Sequence, residues 1–311
     1  MMKGYLLTAE GEKIWLPPFS GWRLRRTGSV PCDSFEGNCP WDGGVESALD
    51  RACRLIVEQE GARRFTGVLD EYEICWDETG GELTVSGRGL AALLLDNEAR
   101  GQDYQVATLK DILRDHVEPY GVPVGRVGEL AAVPGFSVSS GESEWQVLYD
   151  FARYHNGVQP RLDAWGSLTV EAGDGGKTVL VDDRSGVMAV RWRDKRYGVC
   201  SEILIQDRKR LGVQRITNDP FIAQGGQRRQ VMTQPGKGAY QGLRYSGQFQ
   251  LDRSAEERFR AEITLPGSYF CEPGDQVSLR LTRPAIRGVW TVQETEAVLD
   301  KKGQRVKLTL G

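Results

Sequence analysis

The stretch from Ala261 to Leu310 constrains the fold more than any other part of the chain. Ala261-Glu262-Ile263-Thr264-Leu265 alternates apolar with polar residues, and Pro266-Gly267 breaks the alternation. Glu272-Pro273-Gly274-Asp275 makes a second break and launches Gln276-Val277-Ser278-Leu279-Arg280-Leu281. Val289-Trp290-Thr291-Val292 runs on to Val298, the chain turns at Asp300-Lys301-Lys302-Gly303, and Val306-Lys307-Leu308-Thr309-Leu310 follows. Side chains on a strand point alternately to its two faces, so a period of two between Gly/Pro turns marks half-buried strands. The pattern predicts a β-meander completing a barrel-like sheet, which suits assembly better than catalysis.

Residues 1–97 predict a first β-rich domain. Cys53, Leu55 and Val57 alternate with Arg54, Ile56 and Glu58, and Phe65 to Leu69, Tyr72 to Trp76 and Leu83 to Val85 continue as hairpins. Leu90 to Asp96 follows Gly87-Arg88-Gly89 and predicts a short helix. Residues 98–180 change character. Thr108 with Asp111 reads as a capping box for a helix presenting Leu109, Ile112, Leu113 and His116, and Ser143 with Gln146 opens a second helix. Arg161 to Val170 predicts a hairpin, so this is a small α+β domain. Residues 181–311 return to strands, with Val187 to Trp192 and Cys200 to Gln206 as candidates. Within them 207–250 is polar, weakly periodic and read as long loops; Ser254 with Glu257 predicts a short helix from Ala255 to Arg260. The fold class expected is β-rich α+β, with two β-barrel domains and an α+β insertion between them.

Composition excludes several function classes. The chain has 311 residues with net charge −3, so no global basic field attracts nucleic acid. No run of about 18 apolar residues predicts a transmembrane helix, and the start lacks the apolar core of a signal peptide. The expected place of synthesis is the cytoplasm. Six cysteines without a C-x-x-C pair are too sparse for a disulfide scaffold, and buried free thiols are expected.

Catalytic patterns are weak. His116 and His155 are the two histidines, they form no H-E-x-x-H pattern, and structural or surface roles are expected of both. No G-x-S-x-G pentad occurs. Gly87-Arg88-Gly89 lacks the third glycine of a dinucleotide loop and reads as a helix-entry turn. Gly173-Asp174-Gly175-Gly176-Lys177-Thr178 lacks the first glycine of a phosphate loop and reads as a hairpin turn. Glu71 and Glu73 share a strand face like a glycosidase pair, but alternation with Tyr72 and Ile74 makes that face the outside of a half-buried strand. No cofactor and no metal site is expected. Two basic clusters interleave with aromatics: Arg191, Arg193, Lys195 and Arg196 around Trp192 and Tyr197, then Arg208, Lys209 and Arg210. Such a pattern can bind single-stranded nucleic acid. With a net negative chain, the reading favoured is a protein-docking surface.

The order of these elements resembles the baseplate hub proteins of contractile phage tails, the late control protein D family and its Gram-positive prophage relatives. The resemblance is carried by Phe65-Thr66-Gly67 leading to Leu83 through Arg88, by Leu95-Asp96-Asn97, by Tyr104 to Val117, and by the Ser143-Glu144-Trp145 helix with Gly166 to Val170. Leu265-Pro266-Gly267, Pro273 to Val277 and the final hairpin complete it. It implies two tail-tube-like barrels per chain and a homotrimeric ring joining a hexameric tail tube to a trimeric central spike. Tape measure protein, other baseplate proteins and DNA in transit are further implied partners. The implied location is the virion tail baseplate, or a phage-like particle, assembled in the host bacterial cytoplasm without membrane insertion by this chain. The rival reading is a tail-associated cell-wall-degrading or glycan-binding module using Glu71, Glu73 or exposed aromatics. A tail-tube or tail-completion protein is a third.

Overall fold

The computed structural model describes residues 2–28, 32–41, 43, 46–78, 80–171, 176–207, 213–234, 240–256 and 258–311. The first segment carries strands β1 (Met2–Thr8), β2 (Lys13–Trp15), β3 (Gly21–Thr27), β4 (Ser34–Trp41), β5 (Ala52–Gln59), β6 (Ala62–Val68), β7 (Glu71–Asp77) and β8 (Gly80–Arg88). Two short helices accompany them, α1 (Glu46–Leu49) and α2 (Ala92–Leu95). The middle segment holds β9 (Gln102–Ala107), α3 (Leu109–His116), β10 (Val124–Val127), β11 (Val133–Val138), α4 (Glu144–Tyr149), β12 (Arg161–Leu162) and β13 (Leu168–Val170). The last holds β14 (Thr178–Asp182), β15 (Ala189–Asp194), β16 (Glu202–Asp207), β17 (Val213–Thr217), α5 (Asp219–Ala223), β18 (Arg229–Gln234) and α6 (Tyr240–Glu256). It ends with β19 (Phe259–Pro266), β20 (Gln276–Thr282), β21 (Ala285–Asp300) and β22 (Gly303–Leu310).

The alternation at both ends of the sequence builds one principal sheet, in the order β15-β19-β22-β21-β3-β4-β8-β7. Every neighbouring pair along this path is antiparallel. Four of its strands come from the last segment and four from the first, joined where β21 pairs with β3. β21 is long enough to serve twice: its first half pairs with β20, and its second with β22 and β3. The hairpin to β22 is held by Asp300, which accepts from the Lys302 N–H (2.8 Å) and is gripped by Arg305 through two contacts (2.7 and 2.6 Å). Arg305 holds the Asp300 carboxyl down at about 2, and Gly303 supplies the positive φ the turn requires.

The strand content agrees with the β-rich expectation, with one change to the C-terminal meander. β20, β21 and β22 follow one another as neighbours, but β19 lies between β22 and β15 instead of beside β20. Strand period gives no information about partner, and the long stretch Gly267 to Asp275 lets β19 leave its sequence neighbour.

A second sheet, β2-β1-β5-β6, covers the first half of the principal sheet, and β14 beside β20 extends the second half. The apolar faces enclose one core that includes Leu6, Phe35, Leu55 and Leu83 from the first segment and Ile263, Val277, Val306 and Leu308 from the last. Gly67 and Gly87 permit the close crossing of β6 and β8. A Cβ on Gly67 would strike the Arg88 carbonyl, and one on Gly87 the Val68 carbonyl.

The middle segment packs on its own core. Thr108 and Asp111 form the expected reciprocal cap, and Leu109, Ile112, Leu113 and His116 are the buried face of α3. Ser143 accepts from the Gln146 N–H at the start of α4, which continues into a π-helical turn, Asp150–His155. β12 and β13 are the expected hairpin. Residues 172–175 of the glycine-rich stretch lie outside the described residues. The strands flanking that stretch join different sheets, β13 with β10 and β12 and β14 with β20, so the expected hairpin turn does not form.

The stretch 207–250 departs from the loop reading. β17, α5 and β18 lie within it, and β16 pairs antiparallel with β17 and parallel with β18. Its periodicity is faint because its core is small: Cys200, Ile203, Ile205 and Leu251, with Ile216 and Met232 against them. The short helix expected after Ser254 is instead the end of α6. Ser254 sits in its last turn, accepting from the Cys200 N–H and donating to the Leu251 carbonyl, so it is no cap.

Because Leu24 is buried opposite Ala297 at the β3–β21 junction, Leu24→Ala is expected to cost about 2–5 kcal/mol in urea unfolding. Hydrogen exchange should accelerate in β8 and β22 together; acceleration confined to residues 1–97 would contradict a shared core.

Candidate functional site

The titratable groups with catalytic potential are locked into packing. His116 Nδ1 lies 2.5 Å from Glu144 Oε2, and Tyr120 donates to Glu144 Oε1 (2.6 Å). His116 Nε2 faces the Tyr104 hydroxyl (3.0 Å), which donates to Asp115 (2.9 Å). His116 and Glu144 are both buried, and neither lines the two recesses described below. The network ties α3 to α4. His155 is separate, packed edge-on against Phe136 (5.6 Å) and Tyr154 (5.0 Å), and its burial lowers its pKa. Among the described residues no group of His, Cys, Asp and Glu is arranged to hold a metal ion, and no helix is long and apolar enough to cross a membrane.

All six cysteines are free thiols. Cys39, Cys200 and Cys271 are buried as expected, Cys32 and Cys53 partly so, and Cys75 departs from the expectation by lying exposed on β7. Its thiol is raised above the ordinary range chiefly by the Glu73 carboxylate. Glu71 and Glu73 also lie exposed on β7 and make no ion pair among the described residues. Arg88, in the supposed dinucleotide loop, is clamped by Asp70 (2.8 and 2.9 Å) and Asp96 (3.0 and 2.8 Å).

Two recesses occur. The first lies where the middle segment meets the first, lined by Thr27, Asp33, Phe65, Leu90 and Gly166 among others, and holds about 20 Å³, room for one water. Asp33 accepts from the Thr27 N–H (3.0 Å), and burial pushes its carboxyl up to about 6. The second, of about 140 Å³, is lined by Arg191, Arg193, Arg260 and Glu262.

That second recess belongs to a continuous polar face. Residues directly paired across strands share a face. The register therefore places Arg191 and Arg193 with Glu262 and Arg260, these with Thr309, and onward through Glu294 and Glu296 to Arg25. The same face continues through Ser34 and Glu36 to Ser86, Glu71 and Glu73. In its middle the charges are compensated: Arg25 with Glu294 (2.8 Å), Arg23 with Glu296 (3.8 Å), Arg260 and Lys307 with Glu262 (both 3.7 Å). Arg191 and Arg193 make no ion pair among the described residues.

The structure thus separates the expected basic clusters. Arg191 and Arg193 project together from β15, Arg196 is paired with Asp194 (3.0 Å), and the Lys195 N–H bonds to the Arg258 carbonyl. Arg208, Lys209 and Arg210 lie outside the described residues. Sequence reasoning missed Arg260 and Glu262 as members of this surface. Their alternation marked a strand, but only the β15–β19 pairing brings them beside Arg191 and Arg193.

No family model matches the sequence, and no curated protein matches it. Solved structures do match the fold. A tail protein from Neisseria meningitidis is similar at 19% identity and TM-score 0.79, over 99% of this chain and 96% of that one. The 43 kDa tail protein of prophage MuSo2 from Shewanella oneidensis is similar at 18% identity and TM-score 0.79, over 99% and 98%. The E. coli c3393 protein, a component of the type VI secretion system with structural similarity to T4 bacteriophage tail proteins gp27 and gp5, is similar at 11% identity and TM-score 0.60, over 93% and 72%. The chain has the fold of these tail proteins.

Two predictions follow from the buried groups. Removing the buried Glu144 carboxylate leaves His116 and the Tyr120 hydroxyl without their hydrogen-bond partner, so Glu144→Ala should cost about 1–3 kcal/mol in urea unfolding. Asp33 holds its proton more tightly when folded, so its burial penalty is present above pH about 6 and fades as pH falls toward the unfolded carboxyl value. Asp33→Asn removes that penalty, and its stability relative to wild type should be greater near pH 8 than near pH 4. Equal differences at the two pH values would exclude the assignment.

Proposed function

We propose that this chain is a structural baseplate hub of a phage or phage-like contractile tail, a homotrimeric ring adapting a hexameric tail tube to a trimeric central spike. Its channel would pass the tape measure protein and then DNA. Fold alone does not determine function, so the reading rests chiefly on one observation of architecture. The principal sheet takes four strands from each of two β-rich segments on either side of an α+β insertion. A chain with two such halves, repeated three times, offers six similar surfaces to a hexamer and three to a trimer. The division into tube-like domains at residues 1–97 and 181–311, around an insertion at 98–180, is part of this proposal. Full-length similarity to a tail protein and to a prophage tail protein supports it.

The paired charges of the polar face suit a channel wall, because isolated cations would hold passing phosphates. Wall-degrading activity finds little support: Glu71 and Glu73 line neither recess.

The test is solution mass together with co-sedimentation on purified tail tubes of the same particle. A trimer that binds tubes and spike is expected. A hexamer would point to a tube protein, and clearing of peptidoglycan by the purified chain would replace the proposal with an enzyme.

A further inference from the structure

The principal sheet has two outer edges, β7 and β15, and neither has a second strand partner among the described residues. An exposed strand edge is a template for another chain unless something covers it. These two edges are complementary. On the polar face β7 carries Glu71 and Glu73, and β15 carries Arg191 and Arg193, the uncompensated charges at opposite ends of a sheet whose middle is ion-paired. On the other face β7 exposes Trp76 (68%) and β15 exposes Trp192 (40%).

Strand direction agrees. The path holds an even number of strands, all antiparallel, so β7 and β15 run in opposite directions. Rotating a copy about an axis inside the curved sheet brings its β7 beside β15 of the first, still antiparallel. Such a head-to-tail contact closes into a ring when the rotation permits.

We infer that β7 of one copy pairs antiparallel with β15 of the next, placing Glu71 opposite Arg193 and Glu73 opposite Arg191. This rests on the reading of the chain as a ring-forming hub, and supplies the contact that the ring requires. The register follows from pairing both charges at once. It also sets Tyr72 against Trp192, Ile74 against Val190, and Trp76 against Met188, which is 59% exposed. An apolar strip would thereby be covered on the core side of the sheet while the charges pair on the polar face.

The register brings Cys75, a native exposed thiol, opposite Ala189 of the neighbouring copy. Directly opposed strand residues lie at about 4.5–5.5 Å between Cα atoms, within disulfide range. Ala189→Cys should therefore form an intermolecular disulfide under mild oxidation. A non-reducing gel should show a ladder ending at three copies, abolished by adding Cys75→Ser. Independently, Arg191→Glu with Arg193→Glu should raise the dissociation constant of self-association at least about tenfold. Adding Glu71→Lys with Glu73→Lys should restore it. Circular dichroism melting of each variant confirms that these exposed substitutions leave the fold intact.

The outcomes separate the two readings. A trimer that forms without the disulfide, or that tolerates charge reversal, overturns the edge pairing and leaves the hub standing. A ladder ending at six copies upholds the edge pairing and removes the trimeric hub. A wild-type chain that stays monomeric at every accessible concentration overturns the edge pairing, while tube binding still judges the hub.

Discussion

The register between β3 and β21 sets Trp22 opposite Leu299 and Leu24 opposite Ala297, and this short ladder makes one body of two halves. The four strands on either side would each have a free edge here without it. Trp22, Leu24 and Ala297 are buried, so the junction contributes apolar burial as well as backbone hydrogen bonds. Arg25 and Glu294, paired on the outer face, fix the same register by charge. A one-residue slip would turn each of these side chains to the wrong side of the sheet.

The middle segment meets that body through polar and ring contacts. Thr66 donates to the Ala164 carbonyl (2.9 Å), and the Arg63 guanidinium lies over the Trp165 ring (4.6 Å). It has its own core, and the His116–Glu144 contact ties two of its helices together.

Much of this was legible in the residues. Alternation located β5, β8, β19, β20 and β22, and Thr108 with Asp111 located α3 nearly to the residue. Partners were hidden. Nothing in Phe259 to Pro266 reveals that it neighbours β15 and β22 while avoiding β20, since strand pairing is decided by the whole core. The stretch around β17 and β18 escaped because exposed Val213 and Val231 blur the period that burial would sharpen. The polar surface containing Arg260 and Glu262 was hidden for the same reason as the pairing that creates it.

The sheet of β16, β17 and β18 has a consequence of its own. Glu202, itself buried, is gripped by Arg215 (2.5 Å) and by Arg229, whose side chains are about 60% exposed. This lobe's apolar core is small, so a carboxylate between two solvent-facing guanidinium groups adds to the backbone pairing that joins the three strands. Salt screens exposed charges chiefly beyond about 10 Å at 0.1 M ionic strength, so these contacts around a buried carboxylate are weakened only modestly. The lobe therefore ties its shape to the ionisation of one carboxylate, which its two guanidinium neighbours hold below the ordinary range.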